Sequence, residues 1–238
     1  RLLDVQTLDS QLDSLEHRIR TLPEHAQLQD LARQRAVVDN RVRDLQVRVS
    51  DLTAEQEKAD ADVEQVKARR ERDRTRMDQG LISNPKDLER MSQELVSLER
   101  RISDLEDAEI EVMAALEDAQ GELTVAAREA AALDQEIAQV TASRDQQGNS
   151  MKSQADEVRR ERALTVDGLP ADLLALYTRL PEQKGGVGAA ALHRRQCGGC
   201  MLTLDSSELA AIAKAPTDEV LRCEECQRIL VRTFESGL

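Results

Sequence analysis

Four cysteines near the C-terminal end form two pairs that have the spacing of a metal knuckle. The pairs are Cys197 with Cys200 and Cys223 with Cys226, and two residues separate the thiols in each. Two such pairs supply the four thiolates that tetrahedral Zn²⁺ prefers in structural sites. The spacing therefore predicts one structural zinc ion. The 22 residues between the pairs predict that a compact helix is inserted between the knuckles.

Two other interpretations of the cysteines are a redox CxxC motif and a pair of disulfides. A redox motif opens a helix after a buried strand, and the residues before Cys197 lack that pattern. Disulfides suit small secreted domains, but we find no apolar signal segment. We therefore expect a zinc protein in the cytoplasm.

Composition favours long exposed helices over an ordinary globular core. Aromatic residues make up 1% of the chain, charged residues make up 33%, and the net charge is −13. Residues 1–169 hold 25 Lys and Arg against 37 Asp and Glu, so the acidic excess lies ahead of the cysteine region. No apolar run is long enough for a membrane span, and the charge disfavours nonspecific binding to membranes or nucleic acid.

Apolar residues recur at steps of three and four along most of the first 140 positions, which is the heptad pattern of a coiled coil. One seam ends at Leu22, a second begins at Leu28 after a register change, and a third runs from Leu88 to Val140. The short break before Leu88 predicts an antiparallel hairpin, although a parallel homodimer is the alternative. The predicted fold is thus mainly α, with a coiled-coil hairpin over residues 1–165, a kink near 21–27 and a tip near 78–86.

Helix signals define both breaks of this hairpin. At the kink, Thr21 is a candidate N-cap and Glu24 stands three residues later. At the tip, Gly80 ends one helix, while Asn84 and Pro85 begin the next. A tip centred there sets Gln56 opposite Glu109 and sets the first helix against residues near 143–160.

Residues 166–238 are predicted to form a zinc-ribbon domain with a docking helix at 171–180. Asp205 to Glu208 predict a helix cap, and short strands are expected at 201–204 and 228–231 after the two knuckles. The glycine-rich residues 185–188 predict a turn or a flexible stretch.

The order of these motifs resembles a bacterial protein family over nearly the whole chain. A hairpin with a polar tip precedes Leu169–Tyr177, which reads Leu-Pro-x-x-Leu-Leu-x-x-Tyr, and the second cysteine pair continues into Arg-Ile-Leu. This order is similar to that of the four-cysteine zinc-ribbon coiled-coil proteins, long filed as a domain of unknown function. The resemblance implies a role like that of some relatives, which serve flagellar or type III secretion systems as adaptors or chaperones, contact an alternative sigma factor, or bind messenger RNA.

The leading functional hypothesis is a noncatalytic adaptor, scaffold or chaperone-like protein that binds protein partners and no small-molecule substrate. A four-cysteine zinc site has no vacancy for water, and His17, His25 and His193 lie outside the cysteine spacing, so we do not expect an enzyme. The candidate partner-binding residues stand at the tip and around the ribbon: Ser83, Asn84, Lys86, Arg194, Arg195, Arg228 and Arg232.

Nucleic-acid binding is the second hypothesis. Six cations crowd residues 67–76, and further arginines lie near the cysteines. The net charge and the scarcity of aromatic residues oppose this hypothesis, because single strands are usually held by base stacking. A solvated helix face that pairs with Glu71, Asp73 and nearby acids is the simpler interpretation of the 67–76 run.

Overall fold

The computed structural model describes the backbone of all 238 residues and the side chains of residues 1–181 and 184–238. Three helices come first: α1 (Leu2–Arg20), α2 (Pro23–Asp78) and α3 (Pro85–Val166). Close contacts divide the chain into two units, one comprising residues 27–140 and the other residues 1–26 with 141–238. No helix among the described residues combines the length and apolar character that crossing a membrane requires.

The unit of residues 27–140 is an antiparallel pair of helices, as the heptad pattern predicted. Its buried side chains recur along the predicted seams of α2 and α3: Leu31, Val38, Leu45, Val63, Leu98, Ile102, Leu116, Ala119, Ala126 and Ala130. Ion pairs join the two helices on the surface, for example Arg35 Nε with Asp134 Oδ1 at 2.8 Å and Lys67 Nζ with Glu106 Oε1 at 2.8 Å. The mainly α, coiled-coil hairpin fold is confirmed.

The predicted register stays a prediction, because the ion pairs between the two helices do not agree on one offset. It sets Arg35 opposite residue 130 and Arg69 opposite residue 96, whereas Arg35 pairs with Asp134, four residues further along, and Arg69 pairs with Glu94, two residues short. Gln56 and Glu109 are half-buried, but no hydrogen bond joins them within the described part of the chain. Glu109 instead acts on Lys67, whose pKa is raised first by its hydrogen bond to Glu106 and further by the charges of Glu106, Glu64 and Glu109.

At the tip, the predicted end signals are confirmed. Gly80 has φ +65°, in the region where glycine is favoured, and α2 ends two residues earlier. Asn84 Oδ1 accepts a hydrogen bond from the Lys86 N–H at 3.1 Å, and α3 begins at Pro85. The Asn84 carbonyl also accepts from the Leu88 N–H at 3.0 Å. Residues 83–90 are all exposed, so this turn is ordered by its own capping bonds.

In the second unit, α1 packs on the last part of α3, as expected for the first seam. Leu15, Leu22, Met151 and Ala155 form one buried cluster. The helix break near 21–27 is present, but the predicted cap is wrong. Thr21 closes α1 instead, because its hydroxyl donates to the His17 carbonyl at 2.8 Å.

Glu24 was the other half of the predicted cap, and it also has a different role. Its carboxylate is buried and accepts hydrogen bonds from Gln147 Nε2 and from Ser143 Oγ, both on α3. The carboxylate that we expected to complete a capping box therefore joins two helices. Sequence spacing alone does not distinguish these two uses of a carboxylate.

After α3 come a fourth helix and a small ribbon. The elements are α4 (Ala171–Gln183), β1 (Ala189–His193), β2 (Gln196–Cys197), α5 (Ser206–Lys214), β3 (Leu221–Arg222) and β4 (Ile229–Val231). The strands form one sheet in the order β2-β1-β4-β3, in which β1 is parallel to β4 and the other pairs are antiparallel. This sheet carries both knuckles.

Several local predictions hold in this region and others fail. Asp205 caps α5 by accepting from the Ser207 and Glu208 N–H groups at 2.7 and 2.8 Å, and β4 lies within the predicted 228–231 strand. Residues 201–204 contribute only an isolated bridge at Thr203, so the strand predicted there is wrong. The predicted docking helix extends beyond residue 180, with Pro181 inside its last turn. Strands of two residues are too short to produce a visible alternating pattern.

The four-cysteine site and the partner surfaces

The four thiols come together as the spacing predicted. Cys197 ends β2, Cys223 directly follows β3, and the second cysteine of each pair lies across a tight turn. All four sulfur atoms lie within 4.8 Å of one another. The Cys197–Cys226 and Cys200–Cys223 sulfur separations are 3.8 and 3.9 Å. A tetrahedron of sulfurs about 2.3 Å from Zn²⁺ has edges of about 3.8 Å, so the spacing and the soft donor set both fit zinc.

The two knuckles repeat the same backbone geometry. The N–H of Met201 donates to the Cys197 carbonyl at 2.8 Å, and the N–H of Gln227 donates to the Cys223 carbonyl at 2.8 Å. Both donors have φ +62°, an unusual value for residues with a side chain. The backbone N–H groups of Gly199 and Cys200 act to lower the pKa of Cys197, and those of Glu225 and Cys226 act in the same way on Cys223. N–H groups placed in this way favour the thiolate form, which is the form that binds a metal.

The thiols differ in how readily they ionise. Burial raises the pKa of Cys197, and it raises the pKa of Cys223 to about 12. Burial acts in the same direction on Cys226, but the backbone N–H of Arg228 and further hydrogen bonds outweigh it and lower the pKa to about 7. Zn²⁺ deprotonates the thiols that coordinate it, so the buried pair gains most from the metal charge. Bound there, zinc would supply structural cross-linking through Cys197, Cys200, Cys223 and Cys226.

Two of the predicted ribbon arginines support the fold around this centre. Arg228 donates to the Val187 carbonyl at 2.9 Å and to the Lys184 carbonyl, and its side chain lies over Gly199, where an added Cβ would be 2.5 Å from Arg228 Cδ. Arg232 donates to the Ile212 and Ala215 carbonyls at the end of α5. These bonds occupy guanidinium N–H groups that a partner would need, so neither side chain is a free anchor. Their predicted partner-binding role stays a prediction.

Arg194 and Arg195 lie in the two-residue turn between β1 and β2. Their φ angles are +47° and +65°, as a type I′ hairpin turn requires. Their N–H groups donate to the Glu235 and Ser236 carbonyls at 2.8 Å, which fixes the C-terminal segment beside the turn. Both side chains are exposed. These two cations are therefore accessible from solvent, and their contact with a partner stays a prediction.

The tip residues are also exposed. Ser83 and Lys86 point to solvent, and the Asn84 side chain is used by the helix cap described above. Leu81 stands beside them with 64% of its surface accessible. The partner-binding role of Ser83, Asn84 and Lys86 stays a prediction, and capping explains only Asn84.

The basic run at residues 67–76 divides into two groups. Lys67 and Arg69 form ion pairs with acids of both helices, including Glu106 and Glu94. Among the side chains that the structure describes, Arg70, Arg72, Arg74 and Arg76 form no ion pair. The last three of these are exposed. The interpretation of the whole run as an internally paired helix face is therefore only partly right.

A buried polar network at the base of the second unit had no visible sequence signal. Tyr177 is fully buried and donates its hydroxyl to Asp9 Oδ2 at 2.7 Å, and Arg162 pairs with the same carboxylate. Gln6 Oε1 accepts from the Gly188 and Ala189 N–H groups at 2.7 and 3.1 Å. Burial and the Asp9 carboxylate raise the pKa of Tyr177. The network joins α1, α3, α4 and the first ribbon strand.

The histidines are not part of the metal centre. His193 lies 3.4 Å from Glu235, and His25 Nε2 lies 3.1 Å from the Ile19 carbonyl. Within the described residues, the four cysteines are the only group of three or more metal-binding side chains close enough to share an ion. A long helical hairpin that carries a C-terminal four-thiolate ribbon defines the class of protein.

Comparison with known proteins places the chain within one family. Residues 5–185 match the model of the CT398-like coiled coil hairpin domain, and residues 196–230 match the C4-type zinc ribbon domain. The chain therefore belongs to the CT398-like coiled-coil hairpin family and is a zinc-binding coiled-coil protein.

Relatives match over almost their whole lengths. The chain is 31% identical to the uncharacterized protein Rv2229c of Mycobacterium tuberculosis, with 97% of this chain and 94% of that protein covered. It is 29% identical to ML1638 of Mycobacterium leprae, with 92% and 93% covered. A solved structure from Mycobacterium smegmatis has a TM-score of 0.82 at 29% identity, with 96% of this chain and 94% of that chain covered.

Proposed function

We propose that the protein is a noncatalytic cytoplasmic adaptor that binds protein partners through its ribbon and its hairpin tip. One structural zinc ion would stabilise the ribbon. The observation that carries this proposal is the placement of Phe234. It is the chain's one phenylalanine, and 98% of its surface is accessible. Aromatic rings are common anchors of protein interfaces, where their burial contributes much of the binding energy.

Phe234 is exposed on an ordered turn. Ser236 is buried, and its hydroxyl donates to the Leu192 carbonyl at 3.0 Å and accepts from the Thr233 N–H at 2.8 Å. Arg194 and Arg195 bond the following residues of the same turn. A turn fixed in this way presents its ring with little further loss of conformational freedom on binding.

The chemistry of the metal centre supports binding over catalysis. Four thiolates complete a tetrahedral zinc shell and leave no position for a water or a substrate. The cysteines serve the fold of the ribbon, and the exposed groups around them include aromatic, aliphatic and cationic side chains together with the acids Glu224 and Glu225. Met201 and Leu202 are 64% and 50% exposed just beyond the first knuckle. This surface suits a protein partner better than a small polar substrate.

Pull-down from nuclease-treated native lysate with a tagged full chain tests the proposal. We expect saturable protein partners that are lost with Phe234→Ala, or with a combined Ser83→Ala and Lys86→Ala change at the tip. Leu164→Ala is the matched control, because Leu164 is an aliphatic residue with 76% exposure outside both surfaces. Partner binding that survives both the ribbon and the tip variants would overturn the adaptor proposal.

Nucleic-acid binding is the second candidate, and one specific observation favours it. An exposed Phe234 beside exposed Arg194 and Arg195 combines a stacking ring with two cations, which is the arrangement that single-stranded RNA recognition uses. RNA affinity that falls steeply with salt and is lost in Phe234→Ala would establish this function. Partners recovered only without nuclease would point the same way.

A further inference from the structure

One side chain of α1 is hydrogen-bonded to the segment that enters the ribbon. Gln6 is 7% exposed, and its Oε1 accepts from the N–H groups of Gly188 and Ala189 at 2.7 and 3.1 Å. Its Nε2 donates to the Gly186 carbonyl at 2.9 Å. The amide therefore uses both its acceptor and its donor on residues 186–189, which lead into β1. We call Gln6 together with residues 186–189 the clamp.

The same segment of the clamp also lies in close contact with α4. A Cβ added to Gly188 would lie 3.1 Å from two ring atoms of Tyr177 and 3.1 Å from Pro181 Cδ. These distances are shorter than the best separation of two carbon atoms, so glycine fits at this position and a side chain would force a shift. Residues 186–189 therefore contact α1 and α4 at once.

The second knuckle holds this segment from the ribbon side. Arg228 Nε donates to the Val187 carbonyl at 2.9 Å, and the Ile229 N–H donates to the Gly188 carbonyl at 2.9 Å. The Arg228 carbonyl in turn accepts from the Cys223 N–H at 3.0 Å. A short series of hydrogen bonds therefore connects one of the four cysteines to the clamp.

The first knuckle is attached to β1 itself. The Gly198 N–H donates to the Ala191 carbonyl at 2.9 Å, and Leu192 pairs with Cys197 in the sheet. A metal ion that joins the two cysteine pairs would therefore fix β1 from both knuckles. Without that cross-link, β1 has only short strands as neighbours in the sheet, and such strands are marginally stable by themselves.

The two halves of α1 pack on different partners. The first half shares a buried apolar cluster with α4 and with strands β1 and β4, and the members of this cluster are Leu2, Val5, Tyr177, Leu180, Ala189 and Ile229. The second half packs on α3 in a cluster that consists of Leu15, Leu22, Met151 and Ala155. The ribbon therefore supports the start of α1, whereas α3 supports its end.

We propose that the clamp makes the docking of the first half of α1 depend on zinc. With zinc bound by the four cysteines, the ribbon is ordered, and the clamp together with Ala189 and Ile229 holds residues 2–9 in place. Loss of the metal disorders the ribbon, removes these contacts and releases residues 2–9, while residues 12–22 stay packed on α3. The coupling is reciprocal, so a defect in the clamp also weakens zinc binding. This inference goes beyond the adaptor function, because neither Phe234 nor the tip takes part in it.

Hydrogen exchange of the full-length protein, with zinc and after removal of zinc by a chelator, tests the release. We expect amide exchange of residues 5–9 to become at least about tenfold faster in the zinc-free protein, because this part of the helix then opens locally. Residues 12–22 should exchange at the same rate in both states, so they serve as an internal control. Equal exchange of residues 5–9 in the two states overturns the proposal, as does a protein that binds no zinc.

Zinc affinity tests the reciprocal effect. Gln6→Met keeps a side chain of similar length but leaves the Gly188 and Ala189 N–H groups without their buried acceptor. Competition with a chromophoric chelator should show a zinc dissociation constant about tenfold higher than that of the wild type. Gln11→Met is the matched control, because it makes the same change at an exposed glutamine of α1, and it should leave zinc affinity unchanged.

Circular dichroism of both variants verifies that the helices are retained. A Gln6→Met protein that binds zinc as tightly as the wild type overturns the proposal. The exchange experiment uses the unmodified chain and remains decisive if Gln6→Met does not fold.

Discussion

The paired helices of residues 27–140 and the ribbon reach ordered structure by different physical routes. The paired helices bury small aliphatic side chains at regular intervals, and the cost of starting a helix is spread over many turns. The ribbon has short strands, and it holds all four non-glycine residues with positive φ in the described backbone: Arg194, Arg195, Met201 and Gln227. Each such conformation costs about 1 kcal/mol or more. A repetitive apolar pattern orders the first region, whereas we expect the second to need the metal that its four cysteines would hold.

Removal of zinc should separate the two regions most strongly. Cys197→Ser with Cys223→Ser should unfold the ribbon, because a structural zinc site contributes on the order of 10 kcal/mol to folding. Residues 27–140 should remain helical. Hydrogen exchange followed by mass spectrometry should show lost protection in the ribbon and unchanged protection in residues 27–140. Leu202→Ser is the control, because it adds a serine beside the knuckle and keeps all four thiols. Persistent protection of the ribbon in the double cysteine variant would contradict its need for zinc.

A cavity in the helical seam should have the opposite effect. Leu45 is 6% exposed, and Leu45→Ala should lower the free energy of unfolding of the helical region by about 2–4 kcal/mol. The zinc content should not change. Urea unfolding followed by circular dichroism measures the loss. Val47→Ala should cost less than about 0.5 kcal/mol, because Val47 is 61% exposed, and equal losses for the two variants would disprove the assigned seam.

Loss of the Tyr177 hydroxyl should have an intermediate effect. Tyr177→Phe leaves the Asp9 carboxylate without its 2.7 Å donor, and we expect a loss of about 1–3 kcal/mol in the unit that contains α1 and the ribbon. Thermal unfolding with a ribbon-specific probe would measure this loss. An unchanged melting temperature would mean that Asp9 finds an equivalent donor.

The same residue predicts a pH dependence. Burial raises the pKa of Tyr177 in the folded protein above the ordinary tyrosine pKa of about 10. The protonated phenol therefore contributes its full stabilisation at pH values below about 10. Stability should fall as the pH rises above that value, because the unfolded chain releases its proton first. Tyr177→Phe should show a smaller decline above pH of about 10 than the wild type. Parallel declines would exclude this residue as the cause.

The smallest effect is expected at the tip. Asn84→Ala removes the side-chain cap of α3 and should lower the stability of this helix end by about 1 kcal/mol. Amide hydrogen exchange in the first turn of α3 should become faster. Asn84→Asp keeps an acceptor at the same position and should preserve the slow exchange. If Asn84→Asp retains the cap but loses a partner, the residue also has a recognition role. Equal exchange in both variants would show that the cap does not limit fraying.

The sequence predicted those features that depend on local or repeated signals. The seams of α2 and α3, the caps at Asn84 and Asp205, and the meeting of the four cysteines each follow from residue type and spacing. Features that depend on the placement of distant side chains could not be predicted. Arg228 and Arg232 look like any exposed arginines in the sequence, but they bond backbone carbonyls of neighbouring segments.

The ion pairs between the helices and the buried network show the same limit. Arg35 lies at a seam position of α2, and its ion pair with Asp134 does not follow from counting along the two seams. Gln6 is polar and lies next to a seam residue, so its burial leaves no trace in the pattern. The exposure of Phe234 was equally hidden, because a phenylalanine in a small domain would ordinarily be assigned to the core.

The Gln6 contact also has a consequence for the order of events during synthesis. Its backbone partners, Gly188 and Ala189, lie 182 and 183 positions later in the chain. At roughly 5–20 residues per second, a ribosome takes roughly 10–40 s to make that stretch. Until then, the Gln6 carbonyl lacks its two backbone donors and is left to water, while residues of α2 and α3 near the tip already have their partners. The N-terminal helix therefore cannot complete these contacts until the first ribbon strand has been made, although it is translated first.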